Sequence, residues 1–234
     1  MSTPALSGIL EDLVELSASP AAARTTLTRL LEERPEVSDA LARDEGLSSN
    51  LVKVVAASRS LGRLVVKDPA ALDVLAGLDR GLKADASSPE ALARWKSLEL
   101  LRIAARDLGG IDPLEKVGDE LSQLAEAVLA GSCLLADPRI AERVCVVGMG
   151  KLGGEELNYA SDIDVVFAGG AGSEHDERAV RRLISIARLG YRVDADLRPE
   201  GRDGPLVRSV DSYQRYWQRW AQTWEIQALI KARA

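Results

Sequence analysis

A chain of 234 residues with 46% apolar and 28% charged side chains can bury a core in one large domain or two small ones. Its net charge of −6 argues against a general nucleic-acid binder, because a phosphate backbone needs clustered Lys and Arg. No stretch reaches ~18 apolar residues, so nothing is read as spanning a membrane.

The first residues, MSTPALSGIL, lack a basic region followed by a long apolar run. No signal peptide is expected, and the chain reads as cytoplasmic. From there to about residue 140 the sequence is helical. Ser19-Pro20, Asp68-Pro69, Ser88-Pro89, Asp112-Pro113 and Asp137-Pro138 each fit an N-cap followed by proline at the first helical position. There the missing N–H costs nothing. Asp112 and Glu115 also have the capping-box spacing. Apolar residues recur at three and four between the caps. Leu13, Leu16, Leu27, Leu30 and Leu31 form one such set. Leu92, Trp95, Leu98, Leu101 and Ile103 form a second, and Leu121, Leu124, Val128 and Leu129 a third. Residues 1–140 therefore read as a helical bundle without a catalytic constellation. Cys133 and Cys145 sit among apolar residues and read as buried thiols. The sole histidine, His175, falls in the polar run GGAGSEHDE and reads as solvated.

The texture changes near Arg143. VCVVG and IDVVF are short β-rich runs, and RVDADL alternates strictly over residues 192–197. DERAVRRLISIARLG, between the second and third, predicts a helix ending at Gly190. The order strand, glycine turn, helix, strand, helix, strand makes a small α/β unit over residues 141–234. The short helix is expected around Glu155 to Leu157. A last helix carries Tyr213, Trp217, Trp220 and Trp224 on one face, read as a core stripe rather than a surface for stacking a base.

Chemistry concentrates in GMGKLGGEELNYASDIDVVF, residues 148–167. In a strand, residues two apart share a face, ~6.5–7 Å apart. Asp162 and Asp164 therefore project together. Paired carboxylates repel unless a cation lies between them, and Mg²⁺ favours one or two carboxylates plus phosphate oxygens. Two such ions ~3.5–4 Å apart can clamp the oxygens of a phosphoryl displacement. The glycines ahead of the pair let backbone N–H groups approach phosphate, and Lys151 adds a cation. The spacing is neither a Walker A loop nor a dinucleotide fingerprint. Asp194, Asp196 and Arg198 alternate onto one face of the third strand, bringing Asp194 or Asp196 beside the pair. One of these carboxylates can also act as a base. Arg198, Arg202 and Arg208 lie within reach of a phosphate. The phosphate or nucleotide contacts expected are Gly148, Gly150, Lys151, Ser161 and Arg198.

With VDADLRPEGRDGPLV and TWEIQALIKAR added, these motifs resemble the glutamine synthetase adenylyltransferase family, of the DNA polymerase beta-like nucleotidyltransferase superfamily. The resemblance implies an α+β fold: an amino-terminal helical region, then a polymerase beta-like α/β unit with a small mixed sheet. It implies Asp162, Asp164 and Asp194 as catalytic and metal-binding carboxylates, with Mg²⁺ as cofactor. The wording ELNYASDIDVVF and the preceding helices resemble the amino-terminal, adenylyl-removing half. The implied reaction is Mg-dependent phosphorolysis of adenylyl-tyrosine on glutamine synthetase, giving ADP and regulating nitrogen assimilation. Alternatives are ATP-dependent adenylylation by the same fold, or a non-catalytic fragment that binds glutamine synthetase. The implied partners are glutamine synthetase, phosphate, ADP or ATP, and a signalling protein, with no nucleic acid and no membrane. The spacing from Phe167 to Tyr191 is shorter than the family pattern, and a further helical domain and second catalytic half are expected beyond the carboxy end.

Overall fold

The computed structural model describes residues 8–170 and 173–234. The reading of residues 1–7 as free of a signal peptide, and Ala171 and Gly172 of the GGAGSEHDE run, lie outside the described residues. The architecture is α+β, with helices first and a small mixed sheet after them. No helix among the described residues is long and apolar enough to cross a membrane.

Helices α1 (Gly8–Glu15), α2 (Pro20–Glu33), α3 (Ser38–Arg43), α4 (Glu45–Ala57), α5 (Arg59–Lys67) and α6 (Ala70–Ala76) lead into α7 (Pro89–Leu108) and α8 (Leu114–Ala136). The chain divides into two compact units. One runs to Leu82 and resumes over Ser97–Leu114; the other comprises Lys83–Lys96 and Glu115–Ala234. The first unit is closed by Leu27, Leu30, Leu51, Val54, Leu75 and Leu101, all fully buried. Of its expected leucine set, Leu16 departs: it is 87% exposed just past the end of α1.

The proline caps divide in kind. The Ser88 hydroxyl accepts from the Ala91 amide at 3.1 Å, a true cap for α7. Ser19 precedes Pro20 without a side-chain cap bond. Asp112 forms a two-pronged pair with Arg106, at 2.6 and 2.8 Å.

In the second unit, β1 (Val144–Gly148) leads to the one-turn helix α9 (Gly150–Gly153) and then to β2 (Ile163–Gly169). Helix α10 (Glu174–Ala187), β3 (Val193–Asp194), β4 (Val207–Ser209), α11 (Val210–Arg219) and α12 (Thr223–Ala228) follow. Strand β2 is central. It pairs antiparallel with β1, Val144 opposite Gly169 and Gly148 opposite Val165. Its other edge is parallel to β3 at its start and to β4 at its end. Ile163, Val165 and Phe167, all fully buried, line one face of β2. The intervening residues face the other way, where Val166 packs with Met149 and Tyr213. The Tyr213 hydroxyl donates to the Phe167 carbonyl at 3.3 Å.

Four sequence expectations are corrected here. The short helix lies on the glycines themselves rather than at Glu155 to Leu157, and Glu155 takes a positive φ of 55°. The third strand is two residues long, because the Asp194 carboxylate accepts the Asp196 amide at 2.7 Å and turns the chain. The aromatic stripe is broken. A helix ends at Arg219 and restarts at Thr223, so Tyr213 is buried and Trp217 packs beside it at 5.0 Å, while Trp220 and Trp224 are exposed. Cys145 is exposed on β1, and only Cys133 is partly buried, its thiol pushed up to about 11 by burial. His175 sits in the first turn of α10, exposed, with Nε2 at 3.2 Å from Asp137. Strand β4 is an addition within a run read as turns and arginines.

Phe167 is the only phenylalanine in the chain and is fully buried in the central strand. Phe167→Ala is expected to destabilise the sheet-bearing unit by ~3–5 kcal/mol. Urea unfolding followed by tryptophan fluorescence measures it, since all four tryptophans except Trp95 lie in α11 and α12 or between them.

Candidate functional site

The site is assembled by the start of β2. Asp162 stands just before the strand and Asp164 within it. Asp164 is in direct parallel register with Asp194 of β3, as Ile163 is with Val193. In-register residues of neighbouring strands point to the same face. The backbone of this corner is tied on both sides. The Asp164 carbonyl accepts from the Met149 amide at 2.8 Å, and the Ile163 amide donates to the Arg192 carbonyl at 2.9 Å.

The glycine turn approaches Asp164 closely. Gly150 has φ +53°, and a Cβ built there would lie 3.2 Å from Asp164 Oδ2. Glycine suits the position twice over: it takes the left-handed angle without strain, and it spares the carboxylate a tight contact with a Cβ. Lys151 is exposed at the start of α9, and its charge favours the ionised form of Asp164. That influence loses. Burial first, then the charges of Asp194 and Asp162, raise the Asp164 carboxyl above its ordinary range.

The other expected contacts are placed differently. Gly148 spends its amide on the Arg233 carbonyl at 2.7 Å and receives the Arg233 amide at 2.9 Å. Gly153 faces the same closing segment, where a Cβ would fall 2.0 Å from the Lys231 carbonyl oxygen. Ser161 is held in the turn before β2, its hydroxyl 3.0 Å from the Asn158 side chain. Arg198 borders the cleft but is buried. Its guanidinium donates to the carbonyls of Ala195, Gly204 and Arg202 at 2.7, 3.2 and 3.3 Å, bracing the turn after β3. Asp196 turns away from the carboxylate pair onto Arg202 at 2.6 Å and Arg198 at 3.3 Å. The Arg202 hydrogen bond chiefly holds it below the usual carboxylate range. Arg208 pairs with Glu200 at 2.5 Å and does not line the cleft.

Beside the carboxylates opens a cleft of about 500 Å³. Arg181, Arg188 and Arg192 line it together with Arg198, Arg202, Asp162 and Asp194. The first three were not singled out in the sequence. A signal was available: Arg181 and Arg188 lie seven apart on one helix face, and Arg192 shares the alternation of Asp194. Arg192 Nε is 2.5 Å from Asp162 Oδ1.

A divalent cation suits this donor set. All three candidate ligands are hard oxygen donors, and Asp164 carries the repulsion of two neighbours that a cation would relieve. As they stand, no three such side chains among the described residues converge as a metal cluster. Asp162 is engaged by Arg192 instead.

The family model for glutamate-ammonia ligase adenylyltransferase matches residues 78–234. The chain belongs to that family. A bifunctional glutamine synthetase adenylyltransferase/adenylyl-removing enzyme of Streptomyces coelicolor is 39% identical over 96% of this chain. The Mycobacterium avium protein of the same name is 37% identical over 92%, and that of Corynebacterium glutamicum 42% identical over 64%. The chain spans only about a quarter of the first two relatives' length, 26% and 25%. The Streptomyces alignment covers 267 positions against 234 residues here, so that relative carries segments this member of the family lacks.

The raised Asp164 carboxyl fixes a pH dependence. A carboxyl raised on folding favours the fold while protonated, below its unfolded value of 3.8, and costs stability as pH rises through its folded value. Asp164→Asn is therefore expected to raise the melting temperature at pH 7 and to lose that gain near pH 3. Thermal melts at the two pH values test it. Equal shifts at both would show that charge is not the cause.

Proposed function

We propose that the sheet-bearing unit is a nucleotidyl-transfer centre that removes AMP from adenylyl-tyrosine of glutamine synthetase by phosphorolysis. The observation that carries this reading is the parallel register of Asp164 with Asp194, against a glycine whose missing Cβ leaves room for the Asp164 carboxylate. Membership of a family whose relatives are named for adding and removing adenylyl groups supplies the substrate class.

In this reading Asp162, Asp164 and Asp194 would hold Mg²⁺, which supplies charge neutralisation to the phosphoryl oxygens and the departing tyrosine oxygen. The chain's own residues bind and orient. A hydrogenphosphate oxygen forms a bond to the AMP phosphorus, and the bond from that phosphorus to the tyrosine oxygen breaks. The electron pair leaves on the tyrosine oxygen, and the proton from hydrogenphosphate ends there. The products are ADP and free tyrosine. Lys151 and the first amides of α9, which have no acceptor within their own helix, face the phosphate side. The arginines of the cleft wall offset the anionic charge of two phosphoryl groups. Asp194, whose Oδ1 already accepts the Asp196 amide, keeps one oxygen for the cation or the incoming proton.

The test is incubation of the chain with adenylylated glutamine synthetase, Mg²⁺ and phosphate, with ADP as the readout. ADP formation is expected to require both additions. Asp162→Asn and Asp164→Asn are each expected to lower it at least about a hundredfold, the scale of losing one electrostatic contact at a reacting centre. AMP transfer from ATP to the unmodified tyrosine, without phosphorolysis, would establish addition instead. Neither activity from a folded sample would overturn catalysis by this unit alone.

A further inference from the structure

Five arginines line the cleft, and four are committed to partners outside the candidate ligand set. Arg181 pairs with Glu177 at 2.9 Å, and Arg188 donates to the Val193 carbonyl at 3.1 Å. Arg198 braces its own turn, and Arg202 pairs with Asp196 at 2.6 Å. Arg192 differs. Its ion-pair partner is Asp162, and among the described residues its Nη2 otherwise reaches only the Ala160 carbonyl, at 3.4 Å. The backbone beneath it is fixed by the Ile163 amide, so movement belongs to the side chain. That side chain is 78% exposed and Asp162 is 44% exposed. An exposed pair of this kind is weakly held and open to exchange.

We propose that Arg192 is a phosphate-binding residue held in reserve by Asp162, released when a divalent cation takes the Asp162 carboxylate. The inference rests on the metal-dependent reading above. Asp162 cannot serve a cation and a guanidinium fully at once, since a cation on its oxygens repels the second positive charge. The freed guanidinium stays at the cleft wall, where its planar fork of donors matches a phosphate dianion. Without the cation, the same guanidinium neutralises Asp162 and is unavailable to an anion. Cation and phosphate then bind with positive coupling, and the coupling is reciprocal. Arg192 would thereby make phosphate affinity conditional on the metal being present.

Mn²⁺ binding by electron paramagnetic resonance, and binding of inorganic phosphate and of ADP by calorimetry, test this on the whole chain. Wild type is expected to hold phosphate more tightly with Mn²⁺ than without it. Arg192→Gln removes the competitor for Asp162, so Mn²⁺ alone should bind about two- to fivefold tighter. In the presence of Mn²⁺ the same variant should bind phosphate about tenfold more weakly. Arg192→Lys should return Mn²⁺ affinity towards wild type. Arg202→Gln removes an equal charge from the same cleft but leaves Asp162 paired, and should shift Mn²⁺ affinity less. A loss confined to inorganic phosphate assigns Arg192 to the attacking phosphate; a loss shared with ADP assigns it to the product's terminal phosphoryl group. Loss of both affinities in Arg192→Gln, no change in either, or an equal Mn²⁺ shift in Arg202→Gln would overturn the exchange. If wild type bound no Mn²⁺, or if Asp164→Asn bound it undiminished, the metal reading itself would fall, separately from Arg192.

Discussion

Three carboxylates at the adjoining ends of two parallel strands repel one another, and the second unit is arranged around that repulsion. Asp164 bears most of it. It is the most enclosed of the three, and its neighbours and its burial both favour the protonated form. Two features keep it in place despite this. The Met149 amide and the β3 register fix its backbone, and Gly150 withdraws to leave its side chain room. Asp162 and Asp194 each find a donor, Arg192 for one and the Asp196 amide for the other. Asp164 is left as the carboxylate whose charge is poorly compensated. An unrelieved like-charge cluster costs stability, and such a cost is typical of a site built for a ligand rather than for folding.

The sequence made the order of this unit legible because period-2 and period-3.6 patterns are set by local geometry. VCVVG and IDVVF carry β-branched residues bounded by glycine, and DERAVRRLISIA buries Val180, Leu183, Ile184 and Ala187 at helical spacing. The carboxylates were legible only in part for the same reason: alternation puts Asp162 with Asp164 but left Asp194 and Asp196 as alternatives beside the pair, and only the family resemblance singled out Asp194. What alternation could not reveal was where it stops. RVDADL continues the pattern through Asp196 on paper. In the fold the Asp194 side chain captures the Asp196 amide, and a local side-chain-to-backbone bond ends the strand after two residues. The reading of Arg198 failed to foresee its burial for a related reason. A guanidinium that satisfies three carbonyls of one turn gives no periodic signal.

The aromatic stripe shows the same limit at a helix end. Tyr213, Trp217, Trp220 and Trp224 fall on one face only if the helix continues. It stops at Arg219, and Gln222 caps the next helix through a reciprocal bond with Glu225. Tyr216 of α11 then donates to the same Glu225, at 2.9 Å, tying the two short helices across their junction. Two aromatics are thus given to the sheet and two to the surface. Nothing in the spacing distinguished a partly buried tryptophan from an exposed one, because the break between Arg219 and Thr223 leaves no periodic signal.

The closing segment constrains the glycine turn from behind. Gly148 and Arg233 exchange both backbone hydrogen bonds, Lys231 pairs with Glu156, and Gly153 has no space for a side chain against the Lys231 carbonyl. The turn's glycines therefore do different work. Gly153 serves close packing between two stretches of backbone, and Gly148 leaves room for the Leu152 side chain. Gly150 alone combines a left-handed angle with contact to a candidate ligand. The first amides of α9 and the Asp164 carboxylate hang from the same few residues, so a shift of the closing segment would move them together. The backbone bridge through Gly148 thus ties the glycine turn, and with it the room left for Asp164, to the closing segment.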